Sequence, residues 1–144
     1  QEAEKMSEFL FNRNYTAVAE YTYPKILEMY GSVENKAKAI ENGIKSMSAL
    51  GFNLNKVTII GNPSVIVKAG DELQCTVPQT IEMKTPKGRT VANSTLIAIS
   101  TDGGSSWYFV ETMREPLYFW QLDIPTLSNE LVIPAKEEPV LLKD

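Results

Sequence analysis

The feature that most constrains the fold is a stretch of alternating residues, from Asp71 to Met113, that turns back on itself twice. Its first part has a side-chain period of two, which is typical of a β-strand with one buried face. The odd positions are mostly apolar, namely Leu73, Cys75, Val77, Gln79, Ile81 and Met83. We therefore expect two antiparallel β-hairpins in series to form the middle of a curved sheet.

The first turn, Thr85-Pro86-Lys87-Gly88-Arg89, sets the expected register. Proline suits the second position of a type I turn, and glycine suits the left-handed position that ends a three-residue hairpin loop. This places Thr85 opposite Arg89 and the odd residues of both strands on one apolar face. A slip of one residue would turn half of these side chains to the other face. The expected pairs are Met83 with Val91, Ile81 with Asn93, Gln79 with Thr95, Val77 with Ile97, and Cys75 with Ile99.

The second turn has the sequence Ser-Thr-Asp-Gly-Gly-Ser-Ser-Trp over residues 100–107 and resembles an Asp-box, best known from sialidase propellers and also found in unrelated folds. We expect Asp102 to accept backbone hydrogen bonds, the glycines to permit positive φ, and Trp107 to return to the core. A sialidase needs several such boxes and a much longer chain. The motif therefore predicts a local hairpin and not a sialidase activity.

The residues before the hairpins favour helices and then short strands. Pro24 breaks the chain after Tyr23, and Ser32 can cap a main helix. That helix has apolar residues at steps of three and four, namely Val33, Ala37, Ile40, Ile44, Met47 and Leu50. Helices followed by antiparallel strands predict an α+β fold, with the N-terminal helices packed on the concave face of a curved antiparallel sheet.

Residues 114–144 differ from residues 1–113, which we expect to form the domain. They contain four prolines and two apolar segments, Leu117–Trp120 and Leu131–Ile133. We expect an extended C-terminal tail, with a short turn at Thr126–Glu130, that packs on the domain or on a partner subunit. The opposite sheet face is too apolar for solvent, so either this tail or a homodimer should cover it. Its expected residues are Ala92, Leu96, Ala98, Tyr108 and Val110.

Composition restricts the chemistry. The chain has no histidine, which excludes Ser-His-Asp and Cys-His nucleophile systems and imidazole acid–base catalysis. Cys75 stands alone and is expected to be a small buried hydrophobe. A net charge of −4 without a basic, aromatic-rich stretch disfavours a nucleic-acid partner. No apolar run reaches the ~18 residues of a membrane span. No phosphate loop, metal-ligand cluster or nucleotide fingerprint implies a cofactor.

Paired N-terminal helices are followed by a break at Tyr23–Pro24, by a long helix led by Gly31 and by a meander of long strands. In this order of elements, residues 3–113 resemble the nuclear transport factor 2-like superfamily, and within it the SnoaL-like group of cone-shaped, cystatin-like α+β domains. The resemblance implies a pocket between the helices and the concave sheet. Enzymes of the superfamily use an Asp or Glu there with Tyr, Asp, Arg or His partners, and no motif of this chain carries those residues over.

The expected register places Gln79, Thr95 and Glu111 in one polar row, with Asn93 beside it. A carboxylate in an apolar pocket has a raised pKa and can act as an acid or base, so Glu111 is the catalytic candidate. The alternative is a row at the rim that is hydrogen-bonded to water or to an N–H at a helix end. Tyrosines of the helices either line the pocket or belong to the core, and they are Tyr15, Tyr21, Tyr23 and Tyr30.

The sequence favours a non-catalytic domain that binds a small apolar ligand or a partner protein through the pocket or the outer sheet face. The alternative is an isomerase, cyclase or hydro-lyase that uses Glu111 with a tyrosine. Gln1 at the start suits removal of a signal peptide, and an engineered start explains it equally well. We expect an exported protein, periplasmic or extracellular.

Overall fold

The computed structural model describes residues 2–60, 63–112, 116–134 and 139–142. The N-terminal part is helical, and its helices are α1 (Glu2–Phe11), α2 (Tyr15–Glu20), α3 (Pro24–Tyr30) and α4 (Val33–Ala49). Their boundaries follow the capping chemistry of the sequence. The Asn14 side chain accepts a hydrogen bond from the Ala17 N–H at the start of α2, and Ser32 does the same for Asn35 at the start of α4.

The remainder is a strongly curled antiparallel sheet that forms a half-barrel, with one short helix after it. The path is β1-β3-β4-β5, and β2 and β6 pair with β3 and β4 respectively. The elements are β1 (Asn53–Ile59), β2 (Val67–Ala69), β3 (Glu72–Thr85), β4 (Gly88–Ser100), β5 (Tyr108–Glu111), α5 (Leu117–Asp123) and β6 (Val140–Leu141). The predicted α+β class, with N-terminal helices on the concave side of a curved antiparallel sheet, is confirmed.

The predicted register of the first hairpin is wrong by one residue. Thr85 pairs with Gly88, not Arg89, so the loop contains two residues. The Thr85 hydroxyl donates to the Gly88 carbonyl (2.7 Å) and accepts from the Lys87 N–H (3.2 Å), which closes this shorter loop. The new partners along the strands include Val77 with Leu96, Cys75 with Ala98, and Gln79 with Ser94.

The burial of β4 explains why the apolar pattern did not reveal the error. All residues from 95 to 100 are buried, because this strand is covered on both faces. A strand that is buried on both faces fits two registers equally well, so the alternation of apolar residues cannot distinguish the registers there. The pairing of β5 is also displaced by one, since Glu111 pairs with Leu96 and not with Thr95, beside which the expected polar row placed it.

The correct register gives the sheet two different faces. The inner face, toward the helices, carries Cys75, Val77, Leu96, Ala98 and Phe109, and Ala3 of α1 packs on it. The outer face carries Ile97, Ile99 and Val110, which pack with Tyr23 and with Ile124, Leu127 and Leu131. Leu96 and Ala98 therefore point inward, against the prediction, while Val110 belongs to the outer face as predicted.

Residues after β5 cover part of this outer face, where the sequence left open a choice between the tail and a second subunit. Ile124 is fully buried there, and Leu127 and Leu131 are nearly so. Leu117–Asp123 is a short helix where the sequence predicted extended chain. Seven residues are too few for a helical period to stand out, and the Trp120 Nε1–H bond to the Thr112 carbonyl (3.0 Å) fixes the helix beside β5.

The helical layer also reaches the β5 edge of the sheet. Phe109 N–H donates to the Tyr21 carbonyl (2.8 Å), and Thr22 forms a parallel bridge with Phe109. The chain between α2 and α3 therefore pairs with β5 on the side that β4 does not occupy.

Candidate functional site

A cavity of about 880 Å³ lies between the helices and the inner face of the sheet, with α5 at its boundary. Side chains from all four N-terminal helices line it, together with residues from β1, β3, β4 and β5. Most of its walls are apolar, as shown by Met6, Leu10, Ile26, Ile40, Val57 and Leu96. The helices contact the inner face at Ala3 and Met6 of α1, and the cavity lies beside this contact.

A carboxylate from β5 interrupts the apolar wall. Glu111 lies opposite Leu96, diagonal to Ser94 on the same face of the sheet. Gln79 Nε2 donates to Glu111 Oε2 (2.6 Å), and Ser94 Oγ donates to Glu111 Oε1 (2.5 Å). Gln79 is only 4% exposed, while Glu111 is half-buried and lines the cavity. The two donors hold the carboxylate in one orientation.

The structure places part of the predicted polar row in the cavity wall. Gln79 and Glu111 are in contact, as the sequence predicts. Thr95 and Asn93 are not part of the group, because they pair with Pro78 and Thr80 and so lie on the outer face. The sequence missed Ser94, which takes the predicted place of Thr95. Neighbouring Ser94 and Thr95 are both polar, so alternation could not choose between them.

Tyr21, one of the predicted tyrosines, lines the cavity and also forms a hydrogen bond to α1. Its hydroxyl donates to Glu2 Oε2 (2.9 Å). Burial, and then the hydrogen bond to the Glu2 carboxylate, raise the pKa of Tyr21 to about 12. The phenol is therefore a neutral hydrogen-bond donor throughout the physiological range. Tyr30 also lines the cavity, and the Lys36 ammonium lies 4.2 Å from its ring centroid.

The other two predicted tyrosines lie elsewhere. Tyr15 is half-buried and does not contribute to the described cavity lining. Tyr23 is 3% exposed and belongs to the outer-face cluster, where its hydroxyl donates to Glu72. Burial, and then this hydrogen bond, raise the pKa of Tyr23. Both alternatives that the sequence left open therefore occur, since Tyr21 and Tyr30 line the cavity and Tyr23 belongs to the core.

Four residues, Tyr23, Glu72, Gln74 and Thr126, form what we call the outer-face network. Gln74 Nε2 donates to Glu72 Oε1 and to the Thr126 carbonyl, both at 3.0 Å. Thr126 Oγ1 also donates to Glu72 Oε1 (3.0 Å), and Ser128 N–H donates to Gln74 Oε1 (2.8 Å). This network fixes the segment after α5 to the start of β3. No local sequence pattern predicts these contacts.

Asp102 has the local role that its turn predicts. Its Oδ1 accepts from the Ser106 N–H and the Ser100 hydroxyl, both at 2.9 Å, and its Oδ2 accepts from the Ser106 hydroxyl (2.6 Å). These bonds, led by those from Ser106, lower the pKa of Asp102 to about 2. The carboxylate is fully engaged in closing an exposed turn.

Within the described ranges, no three Cys, Asp or Glu side chains are grouped so that they could hold a metal ion. No helix in the described part of the chain is both long and apolar enough to cross a membrane. No protein-family model matches the chain, and a search of curated proteins found no match.

Proposed function

We propose that this domain binds a small, largely apolar molecule in the cavity between the helices and the inner sheet face. The observation that carries the proposal is the cavity itself. Its volume of about 880 Å³ falls in the range of ~300–1,000 Å³ that is usual for small-molecule sites. Its walls combine apolar side chains with a few convergent polar groups, which is the usual composition of such sites.

Packing energetics support a bound ligand. Native interiors contain few voids larger than a water molecule, because atoms that line a void lose dispersion contacts. The outer face of the same sheet is filled by the chain's own Ile124, Leu127 and Leu131. Among the described residues, no apolar side chains fill the inner cavity in the same way. An apolar ligand would restore the missing contacts.

Glu111 favours a second candidate function, a small-molecule isomerase, cyclase or hydro-lyase. Its carboxylate is oriented by Gln79 and Ser94 and lines the cavity, where it could take a proton from a bound molecule. Tyr21 supplies a neutral phenol in the same cavity. The resemblance to the SnoaL-like group agrees with this candidate, although none of its motifs is present.

The binding proposal can be tested with the neutral apolar dye N-phenyl-1-naphthylamine, whose fluorescence rises in apolar sites. The double variant Ile40→Trp/Val57→Trp places indole rings in the cavity from α4 and β1. We expect it to bind the dye at least 10-fold more weakly than the parent. The matched control is Val65→Trp/Ile66→Trp, at positions that are exposed and outside the cavity lining, and we expect it to retain the parent affinity.

Absence of dye binding to the parent, or equal affinity of both double variants, would overturn the proposal. Native mass spectrometry of the purified parent should also be used to detect a retained molecule. If such a molecule is chemically converted by the parent and not by Glu111→Gln, the enzyme becomes the better description.

A further inference from the structure

We propose that Lys36 binds the headgroup of an apolar-chain carboxylate at the mouth of the cavity, while the ligand's chain occupies the space behind it. The proposal rests on the proposed function, since it names a ligand class and a binding residue for the same cavity. Three observations carry it. They are the position of the mouth, the surroundings of the Lys36 ammonium and a second hydrogen-bond donor on the ring beside it.

The mouth of the cavity is marked by lining residues that are also exposed to solvent. Met29 is 66% exposed, Tyr30 38% and Phe119 41%, and all three line the cavity. Leu96, which lines the cavity from the sheet, is buried instead. The mouth therefore lies at the end of α3 and at α5, and the sheet forms the floor.

The junction between α3 and α4 holds Lys36 at this mouth. It is short, because Gly31 ends α3 with a φ of 91° and Ser32 caps α4. Asn35 Nδ2 donates to the Tyr30 carbonyl (2.9 Å), which joins the first turn of α4 to the last residue of α3. The Lys36 ammonium lies 4.2 Å from the centroid of the Tyr30 ring. The lysine is thus placed over an aromatic ring that itself lines the cavity.

The Lys36 ammonium forms no ion pair with any described residue. The side chain is half-buried and lines the cavity, and its described contact is the Tyr30 ring. An ammonium has three N–H donors, and a contact with the face of a ring leaves some of them able to bind oxygen. The attraction between opposite charges is larger in a partly buried site than in water. A ligand carboxylate would therefore supply the charge partner that Lys36 lacks.

The hydroxyl of Tyr30 offers a second donor at the same place. Within the described part of the chain, this hydroxyl forms no hydrogen bond. A carboxylate has two oxygens, so one headgroup can accept from Lys36 and from the phenol together. A ligand ammonium has no lone pair for these donors and is repelled by Lys36. The mouth thus favours an anionic headgroup over a cationic one.

Two carboxylates also line the cavity, and neither forms an ion pair with Lys36. Glu111 accepts from Gln79 and Ser94 and has a further partner, so its charge is engaged by the protein. Asp123 is exposed at the end of α5, where solvent screens its charge. Lys36 is therefore the charged lining residue that we expect a ligand to contact directly.

The test is displacement of N-phenyl-1-naphthylamine by three ligands of equal chain length at pH 7, each below the concentration at which it aggregates. They are decanoate, decanol and decylamine. In the parent, we expect decanoate to displace the dye at a lower concentration than decylamine. Raising the salt concentration should narrow this difference, because screening weakens the interaction between charges.

Variants of α4 identify the group responsible. Lys36→Gln should weaken decanoate binding about 5-fold, the size expected of a partly exposed ion pair, and leave decanol binding within about 2-fold of the parent. Lys36→Arg should retain the parent affinity for decanoate, because it keeps the charge. Lys38→Gln is the matched control. It removes the same charge from an exposed position of the same helix outside the cavity lining, and should leave all three affinities unchanged.

The outcomes separate this proposal from the proposed function. If the dye binds and decylamine competes better than decanoate, the assignment of Lys36 is wrong and cavity binding stands. The same follows if Lys38→Gln weakens decanoate as much as Lys36→Gln does, or if Lys36→Gln weakens decanoate and decanol equally. Should Lys36→Gln lose its thermal unfolding transition, Lys36→Met is measured in its place with the same expectations. If the dye does not bind the parent at all, the proposed function itself fails.

Discussion

The inner and outer faces of the sheet each carry a glutamine that donates to a glutamate, but the surroundings of the two pairs differ. On the inner face, Gln79 of β3 donates to Glu111, and on the outer face, Gln74 of β3 donates to Glu72. Gln74 is fully buried beneath the chain's own C-terminal segment, whereas the Glu111 carboxylate lines a cavity. A buried glutamine–carboxylate pair is therefore not by itself a functional site. Its surroundings decide whether it faces the chain's own segments or a cavity.

The largest expected difference between the faces is in apolar packing. Ile124→Ala removes a fully buried side chain from the outer-face cluster and should lower the free energy of unfolding by about 3 kcal/mol. Ile40→Ala, in the cavity wall, should cost about 1 kcal/mol or less, because it enlarges a space that already exists. Urea denaturation of both variants measures the difference. Equal losses would mean that the inner face is as tightly filled as the outer one.

The two glutamines provide a matched pair on one strand. Gln74→Ala leaves the Thr126 carbonyl without its donor and the Ser128 N–H without its acceptor, and should cost about 2–3 kcal/mol. Gln79→Ala should cost about 1 kcal/mol, since water in the cavity can replace the amide as a donor to Glu111. The same denaturation experiment compares them. A larger loss for Gln79→Ala would contradict the assignment of the inner pair to an accessible site.

The raised pKa values of Tyr21 and Tyr23 should affect the free energy of unfolding at alkaline pH. A raised pKa means that folding stabilises the neutral phenol, so this contribution is fully present below the ordinary value near 10 and is lost as the pH rises toward 12. We expect the free energy of unfolding to fall across this interval in the parent, and to fall less steeply in Tyr21→Phe and in Tyr23→Phe. At pH 7 each variant should lose about 1 kcal/mol, through the missing hydrogen bond to Glu2 or Glu72.

Tyr118→Phe is the control for this pH series, because Tyr118 is 71% exposed on α5. It should reproduce the parent curve. An alkaline profile that is unchanged by Tyr21→Phe would show that the hydroxyl is not held by Glu2 in solution.

The smallest expected effect concerns Thr112, directly after β5. Its side-chain hydroxyl is buried and has no hydrogen-bond partner among the described residues. Thr112→Val keeps the shape and removes the polar atom, so it should leave the protein unchanged or stabilise it by up to about 1 kcal/mol. A rise or no change in the thermal midpoint is the expected result. A clear destabilisation would indicate a buried water that hydrogen-bonds to the hydroxyl.

Local patterns predicted the elements well. The strand β3, the cap at Ser32 and the turn chemistry of Asp102 each depend on residues close in sequence, and each is present. The one buried face predicted for β3 is wrong at residues 74–77, which are buried on both faces. The same patterns brought Gln79 and Glu111 to one face. They could not assign β4, whose residues 95–100 are buried whichever way they point.

The contacts of the outer-face network could not be predicted from the sequence for a second reason. Tyr23 and Thr126 are distant in sequence from Glu72 and Gln74, and nothing in their local sequence distinguishes them from other polar residues. Their contact depends on how the segment after α5 packs on the sheet. Sequence reasoning therefore located a candidate carboxylate but could not say which polar pair is enclosed by the protein itself.

The pairing of Thr22 with Phe109 has a consequence for association between molecules. Open sheet edges are templates for strand addition by another chain, and proteins commonly block them. Here the segment between α2 and α3 occupies the β5 edge through the Phe109 N–H bond to Tyr21. The opposite edge strand, β1, has the exposed Lys56 and a register irregularity between Leu54 and Lys56. In the described part of the sheet, the β5 edge is thus paired within the chain, and β1 carries a charged side chain and a register irregularity, two features that disfavour strand addition by a second copy.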